Sequence, residues 1–281
     1  YGQVHYPFEN KDWFENNFPA DFIAEGQDQT RGWFNKLHVL ATALFNKNAY
    51  KNVIVNGIVL AEDGKKMSKS AKNYPDPWRM FDAYGVDAMR YYLFISPVIE
   101  AENLNFTEKD VAEIERKLVM LLWNVVQFYN LYTKDLKKVP KVESDNILDR
   151  WILAELEKLI DEVTKNMENY KLVQAGRPII GFIDELSTWY VRRSRDRFKG
   201  ADQEDKDKAI ATLHDVLVRL SLVMAPFTPF ISEEVWQSVT NKLDDSVHLQ
   251  EWPETRKKLI DKKLIEEMGM VRNIVSYGLE A

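Results

Sequence analysis

The chain has 281 residues, of which 45% are hydrophobic and 29% are charged, and these proportions support folded cores and exclude a disordered chain. Its formal net charge of −6 at pH 7 excludes an indiscriminate polyanion binder, so any nucleic-acid contact must come from local basic patches. The sequence has no cysteine, which excludes disulfides and thiolate metal sites, and its four histidines lack metal-ligand spacing.

The first elements in the chain predict a parallel α/β unit. Residues 21–24 form a short apolar segment, residues 29–45 carry apolar side chains at helical spacing, and residues 53–60 are almost continuously apolar. The last pattern is typical of a strand buried on both faces of a parallel sheet. A strand, a helix and a strand in this order predict a right-handed crossover.

Polar residues follow both predicted strands. Ligands of such sheets lie beyond the carboxyl ends of the strands, which is where residues 25–29 and Asn56-Gly57 fall. Glu25 is a candidate carboxylate for a ligand ammonium, and an exposed strand-end acid is the alternative. Trp33 is a candidate wall for an apolar pocket, although aromatic residues at helical spacing are usually part of a core. The two segments are expected to converge on one site.

A lysine-rich segment follows the second strand. Residues 64–72 read Gly-Lys-Lys-Met-Ser-Lys-Ser-Ala-Lys, with four positive charges, two hydroxyls and no acid. Lysines bind phosphate oxygens as mobile charges, and hydroxyl and backbone N–H groups add donors, so the segment suits a polyphosphate. Because Asp63-Gly64 is also a favourable hairpin turn, solvated lysines beside a turn are the alternative.

The rest of the sequence predicts helices. The pattern turns helical after Pro75, is interrupted at Gly85 and ends at Ser96-Pro97. Four longer amphipathic helices follow, joined by short polar links, and together they predict an up-and-down bundle. The four run over about 30 residues from a capping box at Thr107, over 147–170, over 173–199 and through Ile210 to a stop at Pro226. Two further helices are predicted: one is capped by Thr228 and has Pro229 at its first position, and the other runs over 254–278.

One predicted helix ends in a basic cluster. Residues 189–199 concentrate five positive charges against one negative charge, interleaved with aromatic residues. Arginines and aromatic faces suit RNA phosphates and unstacked bases. The candidate RNA contacts are Arg192, Arg193, Arg195 and Arg197. The alternatives are the preference of cations for helix C-termini and ion pairs with acids such as Asp205. Arg256 and the lysines after it are predicted to form a solvated face.

Two segments carry a resemblance to a known family. Residues 66–70 read Lys-Met-Ser-Lys-Ser, the KMSKS signature of class I aminoacyl-tRNA synthetases. Residues 21–34 resemble the segment by which isoleucyl-tRNA synthetases hold their aminoacyl-adenylate, and valyl and leucyl relatives read differently there. Residues 51–60 and 73–77 resemble the eukaryotic and archaeal branch of that family. The resemblance covers nearly the whole chain and is densest over residues 6–106.

The resemblance implies two domains. Residues 1–105 would be the C-terminal part of a Rossmann-like catalytic α/β domain with the KMSKS loop, and residues 106–281 an α-helical anticodon-binding bundle. The implied activity is the ATP-dependent activation of isoleucine, with Mg²⁺ accompanying ATP, and its transfer to tRNA(Ile). The chain lacks an initial methionine, a His-x-Gly-His motif and the editing insertion. We therefore expect a fragment that is inactive alone.

The resemblance also assigns roles to residues. Glu25 would bind the substrate amino group, and Lys66 and Lys69 would contact the ATP phosphates, with Lys69 on the leaving pyrophosphate. The aminoacyl-adenylate site would be formed by Glu25, Gly26, Asp28, Gln29 and Trp33. The ATP site would comprise Asn56, Gly57, Lys66, Ser68, Lys69 and Ser70, of which Lys66, Ser68 and Lys69 are the catalytic candidates. Asn56 replaces the histidine usual in bacterial relatives, so an amide would make any adenosine contact.

Two other functions stay open at this point. The first is a stand-alone helical module that binds tRNA or another RNA and has a non-catalytic α/β scaffold. The second is a valyl- or leucyl-type synthetase. A scaffold would not need polar residues 25–29 beside a lysine-rich loop, which favours the isoleucyl assignment. No stretch approaches 18 consecutive apolar residues. We therefore expect no membrane partner. The absence of cysteine and of histidine ligand spacing predicts no structural metal, and we expect a cytoplasmic monomer.

Overall fold

The computed structural model describes residues 4–68, 70 and 73–280, which divide into two compact units. The first unit comprises the described residues before Pro75 together with Ser96–Thr107. The second comprises Pro75–Ile95 and the residues from Glu108 onward. Within the described residues, no helix is both long enough and apolar enough to cross a membrane.

A pair of parallel strands forms the centre of the first unit. Strand β1 (Ala20–Gly26) pairs with β2 (Tyr50–Asn56) from Ala20↔Tyr50 to Gly26↔Asn56. A 3₁₀ turn (Gln27–Arg31) and helix α2 (Trp33–Phe45) connect the strands, and helix α1 (Lys11–Asn17) precedes them. The predicted strand, helix and strand with parallel pairing are therefore confirmed. The helix begins at Trp33 rather than at residue 29.

The second predicted strand is wrong in two respects. Its run over 53–60 is broken after Asn56, and the short strand β3 (Val59–Leu60) instead pairs with β4 (Leu104–Asn105) in parallel. The break lies at Gly57, whose N–H donates to the Val98 carbonyl at 2.7 Å. The strand is also not buried on both faces, because 44% of Val53 is exposed.

Aromatic rings from α1, its flanks and α2 form a core in the first unit. The Phe14 ring is stacked on Phe18 with 5.1 Å between centroids, and its centroid lies 4.2 Å from Tyr6 and 5.4 Å from Phe45. The predicted apolar face of α2 is not fully covered, since Leu40 is 56% and Leu44 is 70% exposed.

The second unit is helical. Its shorter helices are α3 (Pro77–Tyr84), α4 (Val86–Phe94), α5 (Glu108–Ile114), α6 (Leu121–Thr133), α8 (Leu172–Asp184), α9 (Arg192–Lys199) and α11 (Pro229–Thr240). Its longest helices are α7 (Ile147–Glu168), α10 (Gln203–Met224) and α12 (Lys262–Glu280). Helix α7 packs against α8 and α10, and α10 packs against α11. Trp151 and Tyr190 are among the largest side chains that are fully buried in this core.

The long predicted helices are present as continuous helical runs, but two of them contain unpredicted π-helical segments. Residues Glu115–Met120 join α5 to α6, and residues Glu185–Val191 join α8 to α9. The last helix begins at Lys262, so the prediction of a start at residue 254 is wrong. A 3₁₀ turn at Lys257–Leu259 precedes it.

The N-terminus of α11 is capped from a distant part of the sequence. Pro229 is its first residue, as predicted, but the Thr228 side chain makes no cap hydrogen bond. Instead, the buried carboxylate of Asp87 on α4 accepts from the Ile231 N–H at 2.6 Å. The first N–H groups of a helix have no partner within the helix. Here a side chain of α4 accepts from one of them, so the contact links α4 to α11.

Candidate functional site

The carboxyl ends of β1 and β2 lie side by side. Glu25 is opposite Val55 and Gly26 is opposite Asn56 in the parallel register. The Glu25 side chain is exposed, so its carboxylate is free of the desolvation that burial would impose. The predicted convergence of the two polar segments is confirmed by this register. The arrangement presents a carboxylate and an amide at one edge of the sheet.

Gly26 lies close to a side chain of the turn that follows β1. A Cβ at this position would lie 2.7 Å from Asp28 Oδ1. Asp28 Oδ2 accepts from Gln29 Nε2 at 3.1 Å, so the two side chains are joined. The group that comes close to Gly26 is therefore a side chain of this protein.

Gln29 has a structural contact that the sequence pattern did not reveal. Its Oε1 accepts from the Trp33 N–H at 3.2 Å, at the N-terminus of α2. The same oxygen would lie 2.1 Å from a Cβ at Gly32, so a larger residue there would require the Gln29 side chain to move. Gln29 therefore satisfies an N–H at the start of α2. Trp33 is half-buried, and its ring meets Phe34 edge-on at 4.9 Å between centroids.

Asn56 and Gly57 differ sharply in what surrounds them. Asn56 Oδ1 is buried and has no hydrogen-bond partner among the described residues. A buried acceptor without a donor is costly, so this oxygen is suited to a donor from a bound molecule. A Cβ at Gly57 would lie 1.8 Å from the Glu102 carbonyl oxygen. The glycine is thus explained by packing of the backbone, without a ligand.

The lysine-rich segment begins with the hairpin turn of the alternative reading. Gly64 has a φ of 76°, and the Ala61 N–H donates to the Lys65 carbonyl at 2.9 Å. Lys65 forms an ion pair of 2.8 Å with Asp63, and this contact lowers the pKa of the Asp63 carboxyl. Lys65 is therefore neutralised by an acid just outside residues 64–72. Lys66 Nζ has no carboxylate within 4 Å in the described part of the chain.

Asn73 holds the KMSKS segment in shape, and the sequence analysis did not identify it. Its Oδ1 accepts from the Ser68 N–H at 2.9 Å, and its Nδ2 donates to the Lys66 carbonyl at 3.1 Å. The hydroxyls of Ser68 and Ser70 lie 3.3 Å apart. Asparagine readily bonds nearby backbone in loops, which was the available signal. The predicted catalytic Lys69 lies outside the described residues.

Three of the four predicted RNA-contacting arginines are exposed on α9. These are Arg192, Arg193 and Arg195. The Arg193 guanidinium lies 5.3 Å from the centroid of the Trp189 ring, which is a cation–π contact. None of the three forms an ion pair with a carboxylate among the residues that the structure describes. We call these three residues the arginine patch.

Arg197 is not part of that patch, and its assignment to a solvent-facing RNA contact is corrected. Its side chain is 11% exposed, and its guanidinium binds both oxygens of Asp149 at 2.7 and 2.8 Å. Its Nε also donates to Asp205 at 3.0 Å. The ion-pair alternative therefore holds here, because a bidentate fork between two carboxylates leaves few donors for a phosphate. Burial raises the pKa of Tyr190, whose hydroxyl donates to Asp149 at 2.8 Å.

Arg256 is another basic residue with a structural role that the sequence concealed. Its predicted place on a solvated face is wrong, because its Nε donates to the fully buried Glu157 at 2.6 Å. Arg219 binds the same carboxylate at 3.1 Å, and Arg256 also pairs with Asp215. The buried Asp149 thus binds one arginine and the buried Glu157 binds two, and all three arginines come from distant parts of the chain.

The described residues contain no group of three or more acidic or histidine side chains that could hold a metal ion. Glu25, the Asn56 amide and the lysine-rich segment all belong to the first unit. An ammonium, hydrogen-bond donors and phosphates are the chemical groups that this set suits.

Two family descriptions match separate parts of the chain. Residues 1–105 match the tRNA synthetases class I (I, L, M and V), and residues 149–278 match the anticodon-binding domain of tRNA ligase.

Similar curated proteins carry the name isoleucine–tRNA ligase. The protein of Chlamydia trachomatis is 48% identical over 284 residues, and that of Treponema denticola is 45% identical over 296 residues. Protochlamydia amoebophila has a further relative, 45% identical over 285 residues. Each alignment covers 99% of this chain and 27% of the relative. These relatives are bacterial, so they lend no support to the predicted eukaryotic and archaeal affinity.

A solved structure shares the fold. The ternary complex of LeuRS, tRNA and LeuAMS from Agrobacterium radiobacter aligns with a TM-score of 0.67 at 20% identity. The alignment covers 86% of this chain and 29% of that chain.

Proposed function

From the premise that proteins named isoleucine–tRNA ligase match 99% of this chain, we propose that the chain is part of such a ligase. It spans 27% of the length of those relatives, so the activity belongs to the longer protein. Residues 1–105 would be the C-terminal part of a Rossmann-like catalytic domain and would contain the KMSKS loop. Residues 106–281 would be an anticodon-binding bundle. The name of the relatives favours isoleucine over the valyl and leucyl alternatives.

The meeting of the strand ends is the observation that carries this proposal. Gly26 and Asn56 are paired at the carboxyl ends of parallel strands, and ligands of α/β sheets lie at that edge. Glu25 lies one position before that pair and is exposed. Its carboxylate would bind the isoleucine ammonium, and the open Asn56 oxygen would accept from the adenosine.

The proposed reaction needs charge and position but no general base. The isoleucine carboxylate attacks the α-phosphorus of ATP, a carboxylate O–P bond forms, and the P–O bond to the leaving pyrophosphate breaks. Lys66 and Lys69 would stabilise the charge on the pyrophosphate, since donors fixed where charge develops lower the barrier. Ser68 and Ser70 would shape the loop, and Mg²⁺ would accompany ATP.

Transfer to tRNA requires a second surface. The arginine patch is exposed on α9, free of ion pairs with described carboxylates, and suited to phosphate contacts. It would bind tRNA(Ile) in the longer protein, and the LeuRS neighbour was solved as a complex with tRNA. A cytoplasmic monomer is the assembly that we propose.

Glu25→Gln in the full-length protein tests the amino-acid site. It removes the counter-charge of the substrate ammonium, so we expect the KM for isoleucine to rise at least tenfold while kcat changes little, because a lost charged hydrogen bond costs about 1.5–3 kcal/mol. The measurement is isoleucine-dependent exchange of labelled pyrophosphate into ATP. Glu62→Gln changes an exposed acid of the same unit and is the matched control. An unchanged KM in Glu25→Gln would remove Glu25 from the site.

A further inference from the structure

An open cavity of about 910 Å³ lies in the second unit between the ends of α6 and α11. Its walls also include part of α10 and the segment that follows α6. Five lysines line it, and no acidic residue is among its lining residues in the described structure. We call it the lysine cleft, and its lysines are Lys134, Lys137, Lys138, Lys141 and Lys242.

The charge of this cleft contrasts with the rest of the chain. All five lysines are exposed, and no described carboxylate lies within 4 Å of their ammonium groups. Some lysines elsewhere in this unit are paired, such as Lys117 with Glu113 at 2.5 Å and Lys208 with Glu204 at 2.9 Å. Asp135 lies on the same segment but does not line the cavity. A concave surface lined by one sign of charge raises the local concentration of the opposite charge.

Stabilisation of helix ends explains only part of this cluster. Lys134 follows the last residue of α6, and Lys242 follows the cap of α11, where cations are favoured by the helix dipole. That effect falls off within the last turn. Lys137, Lys138 and Lys141 lie beyond it, so the dipole does not account for them.

The floor of the cleft offers polar and apolar groups beneath the charged rim. Tyr129 OH lies 2.9 Å from His214 Nδ1, and Asn130 Nδ2 donates to Ser238 Oγ at 2.8 Å. The side chain of Leu243 at the rim is 76% exposed. Cations at a rim with polar and apolar surface below suit a nucleotide, whose phosphate and base need different partners.

We propose that the lysine cleft binds the phosphate backbone of an RNA strand, at a site separate from the arginine patch. This inference rests on the proposed function, because tRNA is the RNA in question. The cleft would hold one stretch of the tRNA while the arginine patch holds another. The acidic net charge of the chain confines such binding to these basic surfaces.

A salt series tests the charge contribution. Filter binding of an isoleucine tRNA transcript to the 281-residue chain is measured for Lys138→Gln with Lys242→Gln. Each lost phosphate contact removes about 0.7–0.9 of a released counterion, so the slope of log affinity against log salt should fall by about 1.4–1.8. Lys171→Gln with Lys262→Gln makes the same change of charge at exposed lysines outside the cleft. The inference is overturned if the two pairs of substitutions have equal effects.

A chemical probe tests the location. The chain has no cysteine, so Leu243→Cys can carry a single iron chelate at the rim of the cleft. Cleavage confined to one contiguous stretch of the bound transcript supports the inference. The same label at Leu249→Cys, which is 79% exposed and outside the cleft, should not cut that stretch. Identical patterns from the two labels would overturn it.

Two further arms separate this inference from the proposed function. If Arg193→Gln with Arg195→Gln reduces the salt slope and the lysine pair does not, the cleft is rejected while tRNA binding by the arginine patch stands. If the unaltered chain binds no transcript, the inference is overturned, whereas the proposed function of the longer protein stands. A poly-glutamate peptide that displaces the transcript from the cleft as well as unlabelled tRNA does would indicate an acidic protein partner and overturn the RNA assignment.

Discussion

A single carboxylate organises the end of α9 in the second unit. Asp149 is fully buried and accepts hydrogen bonds from Ser144, Tyr190 and Arg197. A buried charge is tolerated only when it is paired and hydrogen-bonded, and removing one partner of such a pair costs about 3–5 kcal/mol. Arg195, two positions away on the same helix, is exposed. Two neighbouring arginines of α9 therefore differ in role: Arg197 neutralises a buried carboxylate, and Arg195 faces solvent.

Arg197→Gln tests this division. We expect the free energy of unfolding to fall by about 3–5 kcal/mol, because Asp149 would stay buried without its cation. Arg195→Gln should change it by less than about 0.5 kcal/mol, as is usual for exposed positions. Urea denaturation of both variants at neutral pH makes the measurement. Equal losses in the two variants would contradict the burial of Arg197.

His214 gives the second unit a pH dependence whose sign follows from its burial. Burial lowers the pKa of His214, and its ring contacts Tyr129 OH at 2.9 Å. The unfolded state therefore takes up a proton first, near pH 6.5, and stability rises with pH wherever the unfolded state binds more protons. The contribution of His214 is complete above about pH 6.5 and is lost as the pH falls below it.

Melting temperatures measured from pH 7.5 to 5 test this titration. We expect the unaltered chain to lose more stability on acidification than His214→Gln, which cannot titrate there. The comparison with the variant is needed because burial raises the pKa of Asp87 and of Glu185, and those groups act in the opposite direction. Parallel curves for the two proteins would show that His214 does not titrate in this range.

At the scale of elements, the sequence predicted what depends on local periodicity. The pairing of β1 with β2 and the long helices of the second unit follow from the spacing of apolar residues. The break at Gly57 does not, since it depends on a backbone segment more than 40 positions away, at Val98 and Glu102. The cap of α11 by Asp87 is distant in the same way. The π-helical segments also gave no signal in the apolar pattern.

The candidate site divides along the same line. The pairing of Gly26 with Asn56 was predictable, because the carboxyl ends of parallel strands share one edge. The contact of Asn73 with the KMSKS segment was not predictable, since it depends on two individual hydrogen bonds. The burial of Arg197 was not predictable either, because Asp149 lies 48 positions earlier in the chain. Charge in a sequence gives the sign of a patch but not which members reach solvent.

Asn73→Ala tests the loop as an element. The substitution removes the hydrogen bonds to the Ser68 N–H and the Lys66 carbonyl, so the segment loses its fixed shape. In the full-length protein we expect the rate of isoleucine-dependent pyrophosphate exchange to fall about tenfold, the scale of one or two hydrogen bonds. Asn52→Ala removes an exposed hydrogen bond to the Asp21 carbonyl and is the control. A rate in Asn73→Ala that matches the control would show that the loop needs no such support.

At the scale of the whole molecule, the proposed function makes the chain one part of a longer enzyme. It aligns with 27% of its relatives, and adenylyl transfer depends on groups held in place around both substrates. Its first unit leaves apolar side chains exposed, such as Phe22 at 52% and Leu44 at 70%. Surfaces of this kind are suited to cover by further protein. The 281-residue chain is therefore expected to have no exchange activity above that of its Lys69→Ala variant.

We propose that this chain supplies the lysine loop and the amino-acid site of an isoleucine–tRNA ligase. Pyrophosphate exchange by the full-length protein, measured in parallel with isoleucine, valine and leucine, tests it most directly. We expect the highest kcat/KM with isoleucine, and a loss of about 2.7–4 kcal/mol of transition-state stabilisation in Lys69→Ala, comparable to losing one preorganised donor. Exchange that prefers valine or leucine, or that is unchanged in Lys69→Ala, would contradict it.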